Sequence, residues 1–188
     1  MMCQGYLELI IGPMYAGKST ELIRNINKYK FLNEKMIAIN HKINNRYGSE
    51  GISTHNNEIY DNCIILDKLS DFENSDKFNE TKIIIIEELQ FFNDAYNTII
   101  KWCDKYNKKV IAAGLDGDFQ RDAIGDVLRL IPHANKVLKI NALCSICKDG
   151  TEAPFTRRII ASKDKTLVGS SDIYEAVCRK HYLEETSV

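Results

Sequence analysis

Residues Tyr6 to Thr20 read YLELIIGPMYAGKST: an apolar run, a turn framed by two glycines, then a lysine and two hydroxyls. No other stretch restricts the fold as much. YLELII is too continuously apolar for a strand with one wet face, so it predicts a strand buried on both sides, as in parallel sheets covered by helices. From Lys18 the period changes. Leu22, Ile23, Ile26 and Tyr29 recur at helical spacing, which predicts a helix over 18–32.

The same alternation continues along the chain. Met36 to Asn40 reads as a second strand, and Ile64 to Leu69 as a weak strand running into a helix. Lys82 to Glu88 (KIIIIEE) is the most apolar strand and stops in two carboxylates. A helical pattern covers Asp94 to Tyr106. The strand in KVIAAGLDGD follows, then a helix-compatible stretch from Ile124 to Ile131 and a strand at Val137 to Ile140. Residues 42–58 are polar and rich in Asn, Ser and Gly, which predicts a loop or mobile excursion. The expectation is an α/β fold with a mostly parallel sheet and helices on both faces, of the kind that phosphate-loop NTPases have. Beyond Asn141 the pattern breaks into cysteines, glycines and short segments. Two domains are therefore expected, 1–140 binding nucleotide and 141–188 small and metal-binding.

At 188 residues, 44% hydrophobic and 27% charged, the chain has the composition of a soluble globular protein. A net charge of −1 gives no electrostatic case for nucleic acid or a membrane surface. No apolar run has the length of a membrane span and no signal pattern opens the chain, so a cytoplasmic protein is expected.

GPMYAGKS fits G-x-x-x-x-G-K-S, with the strand before it and the helix after it that the motif requires. Gly12, Pro13, Met14, Tyr15, Ala16 and Gly17 would turn their N–H groups inward around an anion, aided by the positive end of the helix. Lys18 would sit on the β- and γ-phosphates of ATP. Ser19 would ligate Mg²⁺, with Thr20 assisting.

Glu87 and Glu88 end the most buried strand, where ligands sit in open α/β sheets. Neighbours on a strand face opposite ways. One acid can reach the metal while the other accepts a proton from a substrate hydroxyl. Taken alone, the pair also suits a solvated strand end or a helix cap.

Cys144-Ser-Ile-Cys147 and Cys178-Arg-Lys-His181 are matched pairs with two intervening residues, the spacing of a tetrahedral Cys₃His zinc site. A closed four-ligand site makes the Zn²⁺ structural. Cys3, Cys63 and Cys103 lack such spacing and read as packing residues.

GPMYAGKST, EELQFF (Glu87 to Phe92), LDGDFQR (Leu115 to Arg121) and CSIC…CRKH, in this order, resemble the type II thymidine kinase family from about Gly5 to His181. The resemblance implies transfer of the γ-phosphoryl group of ATP to thymidine, in nucleotide salvage for DNA synthesis. It makes Glu88 the base for the 5′-hydroxyl, with Gln90 beside it and Phe91 lining the nucleoside pocket. Phe119 would stack on thymine, with Met14 and Leu115 as apolar walls. Thr156 and Lys165, Thr166, Leu167, Val168 and Gly169 would belong to a lasso-like loop over the base, which Tyr174 closes and the zinc pairs anchor. Arg46 matches an arginine near the phosphates. The family usually forms homotetramers.

The chain departs from the family pattern at four places. Asn44, Glu87, Leu89 and Ile124 stand where the family usually has Asp, Asp, Gly and an aromatic. Glu87 keeps its charge on a longer arm, Asn44 loses one, and Ile124 offers bulk without an aromatic face. Two other functions fit parts of the sequence. One is a kinase with broader deoxyribonucleoside taste. The other is a phosphate-loop ATPase whose zinc ribbon binds nucleic acid, though Lys148, Arg157, Arg158, Lys163 and Lys165 are interleaved with Asp149, Glu152, Asp164 and Asp172.

Overall fold

The computed structural model describes residues 5–43, 51–53, 59–160 and 172–184. In chain order the elements are β1 (Tyr6–Gly12), α1 (Lys18–Phe31), β2 (Met36–His41), β3 (Ile52–Ser53), β4 (Ile59–Tyr60) and β5 (Cys63–Leu66). Next come α2 (Lys77–Glu80), β6 (Ile83–Ile86), α3 (Ala95–Asp104), β7 (Lys109–Leu115) and β8 (Lys136–Lys139). Last are β9 (Ala142–Leu143), β10 (Glu152–Ala153), β11 (Phe155–Arg158), β12 (Tyr174–Val177) and α4 (Arg179–Glu184).

Six strands form one sheet in the order β5-β2-β6-β7-β1-β8, and every pairing within it is parallel. The alternation of side chains divides the core into two layers. Ile10, Ile85, Ile111 and Ala113 face Leu22, Ile23, Ile26 and Tyr29 of α1. Leu9, Ile84, Ile86 and Ala112 face Ile99 and Trp102 of α3. Trp102 is fully buried against Phe72 and Phe78, and its indole N–H donates to Glu73 Oε1 at 2.9 Å. Helices therefore cover both faces, as the unbroken apolar strands require. The register sets Gly12 beside Leu115, bringing the carboxyl ends of β1 and β7 level.

Two expectations change. The helix-compatible stretch from Ile124 forms only a 3₁₀ turn over Leu128–His133. Gly125 takes φ 58° against the backbone of Gln90, and Pro132 lacks an N–H to continue the ladder. In the stretch 42–58 read as a loop, β3 forms and pairs antiparallel with β4 just beyond it, and Ile52 and Tyr60 are buried; positions 44–50 and 54–58 lie outside the described residues.

After β8, two separate two-stranded antiparallel ribbons form, β9 with β10 and β11 with β12. They share an apolar cluster of Ala142, Cys144, Ala153, Ala176, Val177, Cys178 and Tyr182, against which Tyr15 and Ala16 of the first glycine turn pack.

Candidate active site

The turn after β1 has two glycines for two reasons. Gly12 has φ 154°, and a Cβ there would run into the carbonyl of Ile140. Gly17 caps α1 at φ 87°, a left-handed conformation costly for other residues, and a Cβ there would meet nothing within 4 Å. One glycine relieves packing; the other supplies the turn beside open space. Lys18 folds back so that its Nζ donates to the Pro13 carbonyl at 2.6 Å. Burial lowers its pKa, and the charges of Glu88, Glu87 and Asp116 pull the other way.

Ser19 Oγ donates to Glu87 Oε1 at 2.7 Å. Glu87 is 5% exposed, and its Oε2 is buried with no hydrogen-bond partner among the described residues. Burial, then the neighbouring Glu88 charge, pushes its pKa up to about 8. An unsatisfied carboxylate oxygen next to a serine hydroxyl at a helix start is the oxygen donor set that suits Mg²⁺. Thr20, by contrast, is exposed.

Glu87 and Glu88 follow β6 rather than ending it. Glu88 takes a left-handed conformation, φ 55°, at the head of a 3₁₀ turn over Leu89–Phe91. Strained non-glycine backbone of this kind concentrates at functional sites. Gln90 ties the turn to the sheet. Its Oε1 accepts the N–H of Leu115 at 3.1 Å, and its Nε2 donates to Glu88 Oε2. Gly114 makes room for this: a Cβ there would lie 3.1 Å from both Gln90 Oε1 and Leu89 Cβ. Leu89 is fully buried in the α3-side core.

On the other side of the glycine turn, the N–H of Met14 donates to Thr156 Oγ1 at 3.0 Å, and the Tyr15 hydroxyl donates to the Tyr174 carbonyl at 3.2 Å. The Tyr15 side chain thus serves the junction with the ribbon. Phe119 is half-buried; its carbonyl accepts the Tyr182 hydroxyl at 2.8 Å. A cavity of about 150 Å³ lies beside it, lined by Asp116, Gly117, Asp118, Arg121, Lys139, Pro154, Phe155 and Thr156.

The Cys144, Cys147 and Cys178 sulfurs lie 3.5, 3.4 and 3.4 Å from His181 Nδ1, and Cys147 lies 3.9 Å from Cys178. Tetrahedral zinc with Zn–S near 2.3 Å and Zn–N near 2.0 Å implies separations of about 3.5 Å (S–N) and about 3.8 Å (S–S). The four ligand atoms all lie within 4.8 Å of one another, so the donor set fits Zn²⁺. Burial disfavours ionising Cys144, but the N–H groups of Cys147, Cys178 and Ile146 outweigh it and bring the thiol to about 6. Thiolate is the form that binds metal; Cys147, by contrast, is pushed up to about 11 by burial and by its neighbours Cys144 and Cys178. His181 Nε2 lies 3.9 Å from Glu184 Oε2.

The structure brings together Lys18, Ser19, Glu87, Glu88, Gln90 and Leu115 at the strand ends, and Met14, Thr156 and Tyr174 at the ribbon junction. Phe91 is half-buried, its ring 5.7 Å from that of His41. Asn44, Arg46 and Lys165 to Gly169 lie outside the described residues, as does Cys3. Cys63 is partly buried and Cys103 buried, both as free thiols. Two residues beside the site carried no role in the sequence reading. His41, at the end of β2, packs edge-on to Phe92 at 4.7 Å. Asp116, paired with Lys139 at 2.6 Å, contributes to the field at Lys18. Asp116 stood in the quoted LDGDFQR, but only the sheet register sets it near the lysine.

The profile of the thymidine kinase family matches residues 5–182. A thymidine kinase of Monkeypox virus is 38% identical over 189 residues, covering 96% of this chain and 98% of that protein. A thymidine kinase of Oryza sativa subsp. japonica is 37% identical over 184 residues, covering 96% of this chain and 67% of that protein. One of Vaccinia virus, strain Western Reserve, is 36% identical with the same coverage as the Monkeypox protein, 96% and 98%. With its glycine turn, paired carboxylates and cysteine knuckles in the order that the match spans, the chain belongs to the thymidine kinase family.

Proposed function

We propose that the chain is an ATP-dependent thymidine kinase, transferring the γ-phosphoryl group of ATP to the 5′-hydroxyl of thymidine to give dTMP and ADP. The observation that carries the catalytic assignment is the placement of Glu88. It leaves the sheet in a left-handed turn, one residue beyond the carboxylate bonded to Ser19, with its carboxylate tied by Gln90.

The residues divide the work as follows. Amides of Gly12 to Ser19 and the ammonium of Lys18 hold the phosphates, with Asn44 and Arg46 beside them. Phosphoryl transfer is mostly positioning and charge stabilisation, so this cradle supplies much of the catalysis. Glu88 accepts the 5′-hydroxyl proton as the new O–P bond forms and the bond from the γ-phosphorus to the ADP oxygen breaks. Ser19 and Glu87 would hold Mg²⁺, which when bound neutralises charge on the β- and γ-phosphates. Met14, Phe91, Leu115 and Phe119 wall the nucleoside, and Thr156, Lys165 to Gly169 and Tyr174 cover the base. Cys144, Cys147, Cys178 and His181 would hold the structural Zn²⁺ beneath that cover. The same reading makes the protein a cytoplasmic homotetramer. Phe31, 86% exposed beside the exposed Leu32, is a candidate contact between subunits.

The test is a phosphoryl-transfer assay with ATP and Mg²⁺ over thymidine, deoxyuridine, deoxycytidine and purine nucleosides. Thymidine should be the preferred acceptor. Glu88→Gln should bind both substrates and lose at least about 10²-fold in kcat. A variant with near-native kcat would remove Glu88 from the role of base.

A further inference from the structure

Thr156 and Arg158 stand two residues apart on β11 and share one face of the ribbon. Thr156 receives the Met14 N–H, so that face looks toward the nucleotide-binding sheet. Arg157 points the other way. Its Nε and Nη2 hold Glu175 Oε1 at 3.1 and 2.6 Å, and its Nη1 donates to the His181 carbonyl at 2.8 Å.

Arg158 touches two aromatic residues in ways that no assigned role explains. Its guanidinium carbon lies 3.7 Å from the centre of the Phe119 ring. Its Nη2 donates to the Tyr174 hydroxyl at 2.9 Å, across the strand pair in which Arg158 is opposite Tyr174. Phe119 belongs to the loop after β7 and Tyr174 to β12, so one planar side chain joins aromatic residues of two different elements. A guanidinium suits this because it stacks flat on a ring while its edge still donates.

We propose that Arg158 is a positioning residue for the nucleoside, fixing the Phe119 ring and the Tyr174 side chain relative to each other before the base arrives. The inference rests on the thymidine kinase reading, in which both aromatic residues line the base pocket. A ring already held needs no ordering when a base stacks on it, so the effect falls on nucleoside affinity.

The experiment is steady-state kinetics on full-length Arg158→Met, Arg158→Lys, Tyr174→Phe and the Arg158→Met/Tyr174→Phe double variant, with zinc content measured for each. Arg158→Met should raise the thymidine KM about 5- to 30-fold, leaving kcat and the ATP KM within about twofold. Arg158→Lys, which keeps the charge without the plane, should recover part of the loss. The double variant should be less impaired than the product of the single effects, because both substitutions break one tie. An unchanged thymidine KM in Arg158→Met overturns the inference. So does a parallel loss of kcat, ATP affinity and zinc, which would mark a purely structural residue. A wild-type protein inactive on thymidine would instead overturn the underlying reading and this inference with it. Should Arg158→Met not fold, Arg158→Lys and Tyr174→Phe decide the same question.

Discussion

The Gln90 amide joins Leu115 to Glu88, and its orientation is fixed by chemistry. A backbone N–H can only donate, so Leu115 must meet the carbonyl oxygen, leaving the amine for Glu88. Gln90 is 4% exposed while Glu88 and Leu115 are half-buried, so water can replace part of each bond and the losses below are upper values. Gln90→Leu removes both. A hydrogen bond to a charged oxygen is worth about 1.5–3 kcal/mol, which at 1.36 kcal/mol per decade is a kcat loss of about 10- to 150-fold if it is fully expressed in the transition state. The stranded Leu115 N–H costs about 1–3 kcal/mol of stability, lowering Tm by about 2–4 °C per kcal/mol. Gln90→Glu separates the two effects. It still accepts from Leu115, so Tm should fall less, but it sets a second carboxylate against Glu88. Like charges raise a carboxyl pKa. A base must be deprotonated, so the acid limb of the kcat–pH profile should move to higher pH. Initial rates of ADP release between about pH 5.5 and pH 9, with thermal melts, measure both. The reasoning is refuted if Gln90→Leu keeps kcat within about twofold and Gln90→Glu leaves the acid limb in place. The backbone turn at φ 55° would then orient Glu88 unaided.

Gly12→Ala should cost about 1–3 kcal/mol, read by thermal melt, because its methyl meets the backbone of Ile140 rather than a side chain that can move. Cys147→Ser should lose the metal by elemental analysis and increase hydrogen exchange in Thr156 to Arg158 and Tyr174 to Val177; retained zinc and protection would contradict the assigned ligand set. Burial lowers the pKa of His41, opposed in part by Asp67, Glu88 and Asp94, so the fold holds its neutral form. Below about pH 6.5 the unfolded chain binds the proton more readily, and stability falls until the folded value is passed. His41→Gln should therefore lose less stability than wild type between about pH 7.5 and pH 5.5, as urea midpoints will show.

The sheet was legible because its strands are buried on both faces. IIII at Ile83 to Ile86 cannot be one side of a half-wet sheet, and helical spacing in α1 follows at once. The glycine turn and the clustering of Cys144, Cys147, Cys178 and His181 were legible because both depend on close spacing in sequence. The failures have a common cause. The Gln90 tie depends on Leu115 of β7, 25 residues away in sequence, and the left-handed Gly125 depends on the Gln90 backbone it packs against. Alternation predicts that Glu87 and Glu88 face opposite ways; it does not predict that the strand stops at Ile86 and that Glu88 takes a left-handed backbone. His41 and Arg158 show no motif, because their significance comes from the rings that tertiary packing sets beside them.

Met14 is bonded through its amide to β11, and Tyr15 through its hydroxyl to β12. The loop proposed to grasp the donor is thereby stitched to both strands of the ribbon proposed to cover the acceptor. Stripping the metal with a chelator should accordingly be felt as poorer ATP retention, at a distance from the cysteines, and crowding the acceptor cover should alter the grip on the donor. The two substrates would then report on each other's occupancy through these two bonds.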